Sequence, residues 1–356
     1  MERLDELRKQ IDVIDEQILK LLNKRAELAI EIGKIKKAQN KPLYVPSREK
    51  AIYERLKAIN SGPFPDEYIK NVFREIISAS LSLEEVQKIA YLGPEGTFTH
   101  LAGIKHFGLA AKLIPLSNIS DVFEYVEKKR CTYGVIPIEN SLEGVVNHTL
   151  DMFMDSNLKI CGEVYLEVSH HLMNLSGNFD DIKKIYSHPH AIAQCRKWLS
   201  KNARRITVVE VESTAKAAEI AKKDASVAAI ASEMAEIHYG LKIVEKSIED
   251  FTNNFTRFLV IGYTESARTG NDKTSIMFSV AHRAGSLYEA LRAFAKQNIN
   301  MTKIESRPSK RKAWEYIFYV DIDGHIMDEN VKIALDNFSK NVNILKILGS
   351  YPKGEK

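Results

Sequence analysis

The spacing of apolar residues changes rhythm twice along the chain. In residues 4–37, Leu4, Leu7, Ile11, Ile14, Ile18, Leu21, Leu28, Ile32 and Ile35 recur mostly at threes and fours, which puts them on one face of an α-helix. The period predicts a single helix roughly 50 Å long at ~1.5 Å per residue. Two shorter helices are predicted over residues 48–60, after Pro46-Ser47, and 66–88, after Gly62-Pro63; proline and glycine mark the breaks. Helices so unequal in length do not close a compact bundle within one chain, so a second copy is expected to complete it.

From residue 89 to about 262, short apolar runs at 89–92, 133–138, 185–186, 206–211, 227–231 and 258–261 alternate with amphipathic stretches. This predicts α/β layers with mostly parallel strands. The remainder reads strand, helix, strand, strand, helix, strand, at 274–281, 286–297, 301–305, 314–321, 329–341 and 344–348, a ferredoxin-like order.

Composition narrows the class. The 356 residues are 44% hydrophobic and 28% charged, as in folded chains of two or three domains. No apolar run approaches the ~18 residues of a membrane span, and the opening Met1-Glu2-Arg3-Leu4-Asp5-Glu6 is too polar for a signal peptide. A cytoplasmic location with no membrane partner is expected. Cys131, Cys161 and Cys195 are odd in number and far apart, which predicts buried thiols rather than disulfides or a zinc site. A net charge of +4 is too mild to imply nucleic acid. Residues 24–57, however, hold ten Lys/Arg against four Asp/Glu, and this local excess points to an anionic ligand.

The first segment has cations where packing calls for apolar side chains. Arg25 falls in the stripe between Leu21 and Leu28, and Lys36 returns to within ~20° of its azimuth. Arg8 faces elsewhere, so a site uniting Arg25 and Lys36 would take Arg8 from a second copy. Ser80 and Glu84 interrupt the stripe of Phe73, Ile76 and Ile77, and Arg48 opens the second helix. Buried cations are costly unless paired, which again implies an anion.

In the central segment, strand ends run into hydroxyls or amides at helix starts: Gly96-Thr97, Glu139-Asn140-Ser141, Ser187-His188 and Ser213-Thr214. Each is either an ordinary N-cap or part of a cleft for a small carboxylate at the strand ends, where open α/β sheets bind ligands. GxGxxG, a Walker lysine, metal-spaced His/Cys clusters and a Gly-x-Ser-x-Gly elbow do not occur. Nucleotide, metal and serine-hydrolase chemistry are therefore disfavoured, and no cofactor is expected.

The wording of these segments resembles three known families in succession. Residues 1–88, through Lys24-Arg25-Ala26-Glu27-Leu28-Ala29, Gly33-Lys34-Ile35-Lys36 and Arg48-Glu49, resemble the all-helical chorismate mutases. Residues 89–268 resemble the prephenate dehydratases, two α/β lobes like a type II periplasmic binding protein. The matching motifs are Gly93-Pro94-Glu95-Gly96-Thr97-Phe98, Pro137-Ile138-Glu139-Asn140-Ser141, Ser187-His188-Pro189-His190 and Asn254-Phe255-Thr256-Arg257-Phe258. Residues 272–352, through Gly285-Ser286-Leu287 and Glu305-Ser306-Arg307-Pro308, resemble the α+β, ferredoxin-like ACT domain. The order is that of bifunctional chorismate mutase/prephenate dehydratases.

The resemblance implies roles. Arg8 from a second copy, Arg25 and Arg48 would bind the carboxylates of chorismate; Lys36 and Glu84 would donate to its ether oxygen, and Ser80 and Glu49 would line the pocket. Thr256 would assist departure of the prephenate hydroxyl. Asn140, Ser187, Gln194, Ser213 and Thr214 would position that substrate, with Thr97, Glu139 and Ser141 beside them. Arg257 would add positive potential or lie in a salt bridge beneath its strand. Gly285, Ser286 and Leu287, paired with Glu305, Ser306, Arg307 and Pro308 across a two-fold axis, would hold phenylalanine as a feedback effector. The implied assembly is at least a dimer. Relatives carry Gln where Glu84 stands, and often Gln where His190 stands. The basic run Lys310-Arg311-Lys312 reads as a solvated hairpin tip. An arogenate dehydratase and a noncatalytic amino-acid sensor are alternatives on the same scaffold.

Overall fold

The computed structural model describes residues 2–39, 41, 42, 44–309 and 315–355. The chain forms two compact units, residues 1–88 with 107–112, and residues 89–106 with 113–356. The Lys310-Arg311-Lys312 run lies outside the described residues.

The first unit is built on α1 (Glu2–Ala38), α2 (Pro46–Ile59) and α3 (Asp66–Glu84). Pro46 opens α2, where its missing N–H costs nothing, and Asp66 and Glu67 favour the positive end of α3. Helix α3 packs against both others, burying Ile69 and Ile77. The apolar stripe of α1 stays uncovered, with exposures from 49% at Ile18 to 67% at Leu21.

In the second unit, one lobe comprises β1 (Lys88–Leu92), α4 (Phe98–Phe107), β2 (Lys112–Leu116), α5 (Ile119–Glu127), β3 (Tyr133–Asn140), β4 (Gly144–Val145), α6 (Asn147–Asp155) and β5 (Lys159–Glu167). The chain then crosses to β6 (His171–Asn174), β7 (Lys184–Ser187), α7 (Pro189–Gln194), α8 (Arg196–Asn202), β8 (Thr207–Glu210), α9 (Thr214–Ala221), β9 (Val227–Ala231), α10 (Glu233–Tyr239) and β10 (Lys242–Glu245). It returns as β11 (Phe255–Gly262). The sheets are ordered β2-β1-β3-β11-β5, with β4 beside β3, and β10-β6-β9-β7-β8.

The expectation of mostly parallel strands is corrected. Strands β1 and β3 are parallel, as are β7 with β8 and β9, but β11 runs antiparallel to β3 and β5, and β6 to β9 and β10. A chain that leaves a lobe along β5 and comes back along its neighbour must lay the returning strand against the departing one.

The last sheet, β12 (Asp272–Ser279), β13 (Met301–Pro308), β14 (Tyr316–Asp323) and β15 (Ile344–Pro352), is ordered β13-β14-β12-β15. Helices α11 (Ser286–Lys296) and α12 (Glu329–Ser339) supply Ala290, Phe294, Ala334 and Phe338, which pack on Ile276, Phe278, Val320 and Ile322 of the sheet. Strand alternation turns Met277, Ile317, Tyr319, Leu348 and Tyr351 the other way, into one core with Ile136, Ile138, Leu150, Phe153, Ile160 and Leu259. At Gly349 a Cβ would lie 2.2 Å from the Ile160 carbonyl oxygen, so β15 approaches β5 at a distance only glycine allows. The ferredoxin-like segment is thus one wall of the lobe that precedes it.

All three cysteines are buried and none is in a disulfide. No described helix is long and apolar enough to cross a membrane, and among the described residues no group of three or more His, Cys, Asp or Glu could hold a metal ion.

Candidate active sites

The antiparallel register of β3 and β11 sets Asn140 opposite Thr256. Asn140 Oδ1 accepts from the backbone N–H groups of Leu142 and Glu143 at 2.9 and 3.0 Å. This fixes the amide, so that Nδ2 donates to Thr256 Oγ1 at 2.9 Å and to Asn254 Oδ1 at 2.8 Å. Asn254 Nδ2 donates to Gln194 Oε1 at 3.0 Å, which His170 Nε2 also meets at 2.9 Å. Gln194 Nε2 reaches back across the lobes to Glu143 Oε1 at 2.9 Å. His170 is buried, and burial pulls its imidazole pKa below the ordinary value. A neutral ring donates through Nε2 to an amide oxygen that can only accept. Each partner is therefore oriented by the next, and Thr256 accepts rather than donates within the network.

Other expected residues are placed differently. Ser141 Oγ accepts from Phe255 N–H at 2.9 Å, beside the network. Ser187 is fully buried, with its hydroxyl donating to the Ile230 carbonyl at 2.7 Å. Ser213 caps α9, accepting from Lys216 N–H at 3.0 Å, and Thr214 opens the same helix. Thr97 Oγ1 accepts from His100 N–H at 3.3 Å and donates to the Pro94 carbonyl at 2.9 Å. Arg257, next to Thr256, projects from the opposite face of β11 and is closed in by Glu163, Asp321 and Tyr351. Of the two readings of Arg257, the structure has the salt bridge beneath the strand. Glu139 likewise turns to Lys303, at 2.8 Å.

Sequence reasoning missed Asn254, His170 and Glu143 as members of the network. Asn254 and Glu143 stood within or beside the motifs that carried the resemblance; His170 is joined to the network only through Gln194, 24 positions away, a contact no local spacing announces. His190 Nδ1 pairs with Glu143 at 2.6 Å.

In the helical unit, Arg25 Nη1 donates to Ser80 Oγ and lies 3.5 Å from the Ile76 carbonyl. Partial burial lowers its pKa. Glu84 Oε2 is buried without a hydrogen-bond partner. Burial raises the Glu84 pKa, against the opposing pull of Lys36 and Lys37. Arg25, Ser80, Lys36 and Glu84 therefore belong to the α1–α3 face. Glu49, partly buried on α2, accepts from the Tyr53 hydroxyl at 3.4 Å, and its pKa is pushed up to about 7 by burial. Arg48 is exposed. Arg8 pairs with Asp5 at 3.5 Å, seventeen residues before Arg25 on α1 and therefore ~25 Å away along the helix.

In the last sheet, Gly285, Ser286 and Leu287 line an open cavity of about 500 Å³ with Arg283, Tyr288 and Tyr316. Gly285 has φ +85°, the left-handed region that glycine enters freely. Glu305, Ser306, Arg307 and Pro308 lie on β13 and do not line that cavity. Arg307 forms a two-pronged ion pair with Asp151 of α6, at 3.2 and 3.3 Å.

Comparisons with known proteins find three matches in succession along the chain. Family models match for chorismate mutase type II over residues 7–85, prephenate dehydratase over 89–266 and the ACT domain over 274–337. The bifunctional chorismate mutase/prephenate dehydratase of Aquifex aeolicus is 53% identical over 99% of both chains. The one from Pseudomonas aeruginosa is 42% identical over 99% of this chain and 98% of its own. A prephenate dehydratase from Arthrobacter aurescens, solved in complex with L-Phe, matches 74% of this chain and 89% of its own at 34% identity and a TM-score of 0.69. The chain belongs to the bifunctional chorismate mutase/prephenate dehydratase family.

Proposed function

We propose that the Asn140–Thr256 pair is the reacting centre of the dehydratase and the Arg25–Ser80–Glu84 face that of the mutase. The enzyme converts chorismate to prephenate by a Claisen rearrangement, and prephenate to phenylpyruvate, CO2 and water, with phenylalanine as feedback effector. The observation that carries the dehydratase reading is the fixed Asn140 amide. Because Asn140 donates to Thr256 Oγ1, the Thr256 hydrogen is left to point at substrate. It donates to the C4 hydroxyl as that C–O bond breaks, while the electrons of the C–CO2 bond enter the ring and aromatise it. Gln194 holds the substrate in line; Asn254, Glu143 and His170 hold Gln194.

In the mutase, Arg25 and Arg48 bind carboxylates while Lys36 donates to the ether oxygen, as does Glu84 when it carries a proton. Catalysis there is orientation plus electrostatics. The uncovered stripe of α1 supports a second copy packed along it, which would bring the partner's Arg8 to the site that its own chain cannot reach. Glu305–Pro308 of one copy would meet the Gly285–Leu287 cavity of another around phenylalanine. The enzyme works in the cytoplasm as at least a dimer.

The test offers chorismate, prephenate and arogenate separately to two variants. Arg25→Ala is expected to lose chorismate consumption and keep prephenate turnover, and Thr256→Ala to do the reverse. Equal loss of both in folded protein would reject separate sites, and turnover of arogenate alone would reassign the dehydratase substrate.

A further inference from the structure

The seating of Asn140 against Thr256 continues into the last sheet. Next to that pair in the β3–β11 register stand Glu139 and Arg257, turned by strand alternation to the other face. There Arg257 Nη1 donates to Asp321 Oδ2 of β14 at 2.6 Å, Nε to Glu163 Oε2 at 2.7 Å, and Nη2 to the Tyr351 hydroxyl at 3.0 Å. Lys303 Nζ of β13 donates to Glu139 Oε2 at 2.8 Å, the same oxygen that lies 3.9 Å from Arg257 Nη1. Ser275 donates to the other Asp321 oxygen, and Lys273 pairs with Glu163 at 2.9 Å. Burial alone pushes the Asp321 carboxyl upward, yet Arg257, Ser275 and Lys273 hold it below the usual carboxylate range.

Each strand bearing the reacting pair is therefore gripped one residue away, β3 by Lys303 and β11 by Asp321. The side chains of Arg257, Asp321 and Lys303 are only 6%, 9% and 11% exposed. Apolar contacts in the same interface supply adhesion without a desolvation cost. Buried charges are a costly way to add more, and their best-attested use is to fix registry. We infer that Lys303 and Asp321 are positioning residues for dehydration, holding β3 and β11 at the offset where Asn140 meets Thr256. The inference rests on reading that pair as the reacting centre.

The test uses the full chain with Lys303→Met, Asp321→Asn, Lys303→Arg and Thr256→Ala, measuring kcat and KM for prephenate and, in the same preparations, kcat for chorismate. Small misplacements of reacting groups cost up to about 10²-fold. Lys303→Met and Asp321→Asn are thus expected to lower dehydratase kcat by on the order of tenfold or more, with KM nearly unchanged and mutase kcat intact. Lys303→Arg should restore most of the loss. Wild-type dehydratase kcat in Lys303→Met, a loss confined to KM, or an equal loss in Lys303→Arg would overturn the inference. If Asp321→Asn does not fold, Lys303→Met decides alone, since its head lies nearer the rim. Unchanged dehydration in Thr256→Ala would instead overturn the underlying reading; lost dehydration there with an unaffected Lys303→Met overturns the positioning role alone.

Discussion

Gly33 and Glu84 compete for one volume: a Cβ on Gly33 would lie 2.7 Å from Glu84 Cγ and 3.0 Å from its Oε2. Helix α1 needs glycine at this turn for the α3 carboxyl to lie against it. Alanine is the better helix former by roughly 0.5–1 kcal/mol, so Gly33→Ala favours the helix while displacing the acid. Its mutase rate is expected to fall by on the order of tenfold or more, with dehydratase unchanged. Parallel assays on chorismate and prephenate check this, and undiminished chorismate turnover would separate Glu84 from the chemistry.

The raised pKa of Glu84 carries a pH signature. On the mutase reading proposed above, the carboxyl would donate to the ether oxygen below that pKa, and above it an anion would face an electron-rich atom. Mutase activity should therefore fall as pH rises through the Glu84 pKa, since losing one such donor costs on the order of 2.7–4 kcal/mol of barrier. Gln at this position donates at every pH. Glu84→Gln should flatten the mutase profile between about pH 4.5 and 8.5, a window bracketing the ordinary glutamate value and a raised one, and leave the dehydratase profile as it was. Superimposable wild-type and variant profiles would dismiss the role.

Glu49 predicts a stability change of definite sign. Its carboxyl titrates at about 7 in the fold against 4.5 as the ordinary value, so between those values the native state keeps a proton that the unfolded chain has released. Stability contributed by this group is fully present below the lower value and is lost as pH rises through the upper one, by at most about 3 kcal/mol. Amide-exchange protection of residues 46–59 should decline across this window in wild type and much less in Glu49→Gln.

The substitution Asn140→Asp tests the direction of the Thr256 proton. A carboxylate cannot donate, so the threonine hydroxyl would turn inward to donate to it. Dehydratase kcat should fall on the order of 10²-fold, at least as far as in Asn140→Ala. An Asn140→Asp enzyme faster than the alanine variant would mean that the hydroxyl points elsewhere.

Gly349→Ala probes the shared core. The atom a Cβ would strike is the Ile160 backbone carbonyl oxygen at 2.2 Å, which cannot swing aside as a side chain could. Overpacking of this kind costs about 1–3 kcal/mol, so calorimetry should show the unit containing residues 113–356 melting earlier, with the helical unit unmoved. An unchanged melt would mean that β15 can lift from β5 without penalty.

The helical period of α1 and the succession of strands and helices in the last segment were legible because both are local: neighbours three, four or two apart decide which face is apolar. The motif Asn254-Phe255-Thr256-Arg257-Phe258 was legible as a candidate site, with the task of Arg257 left open between two readings. Consecutive residues on a strand face opposite sides, so Thr256 and Arg257 serve different surfaces despite sharing a triplet. Strand β5 escaped notice because Glu163 sits in its middle, a residue that reads as solvent-exposed until Arg257 and Lys273, 94 and 110 positions away, neutralise it. The same distance hid the pairing of Arg307 with Asp151 and of Gln194 with Glu143.

The wall shared by the last sheet and the lobe before it sets an order of events during synthesis. Ile136 leaves the ribosome more than two hundred residues before Tyr351, its companion in one core. At ~5–20 residues per second, that interval is on the order of 10–40 s. The helical unit lies wholly within residues 1–112, so it can begin to fold while the apolar face around Ile136 and Leu259 still lacks β12, β14 and β15. The dehydratase half is the last part of the molecule to mature, and an interruption of translation after β11 leaves its apolar face open to aggregation.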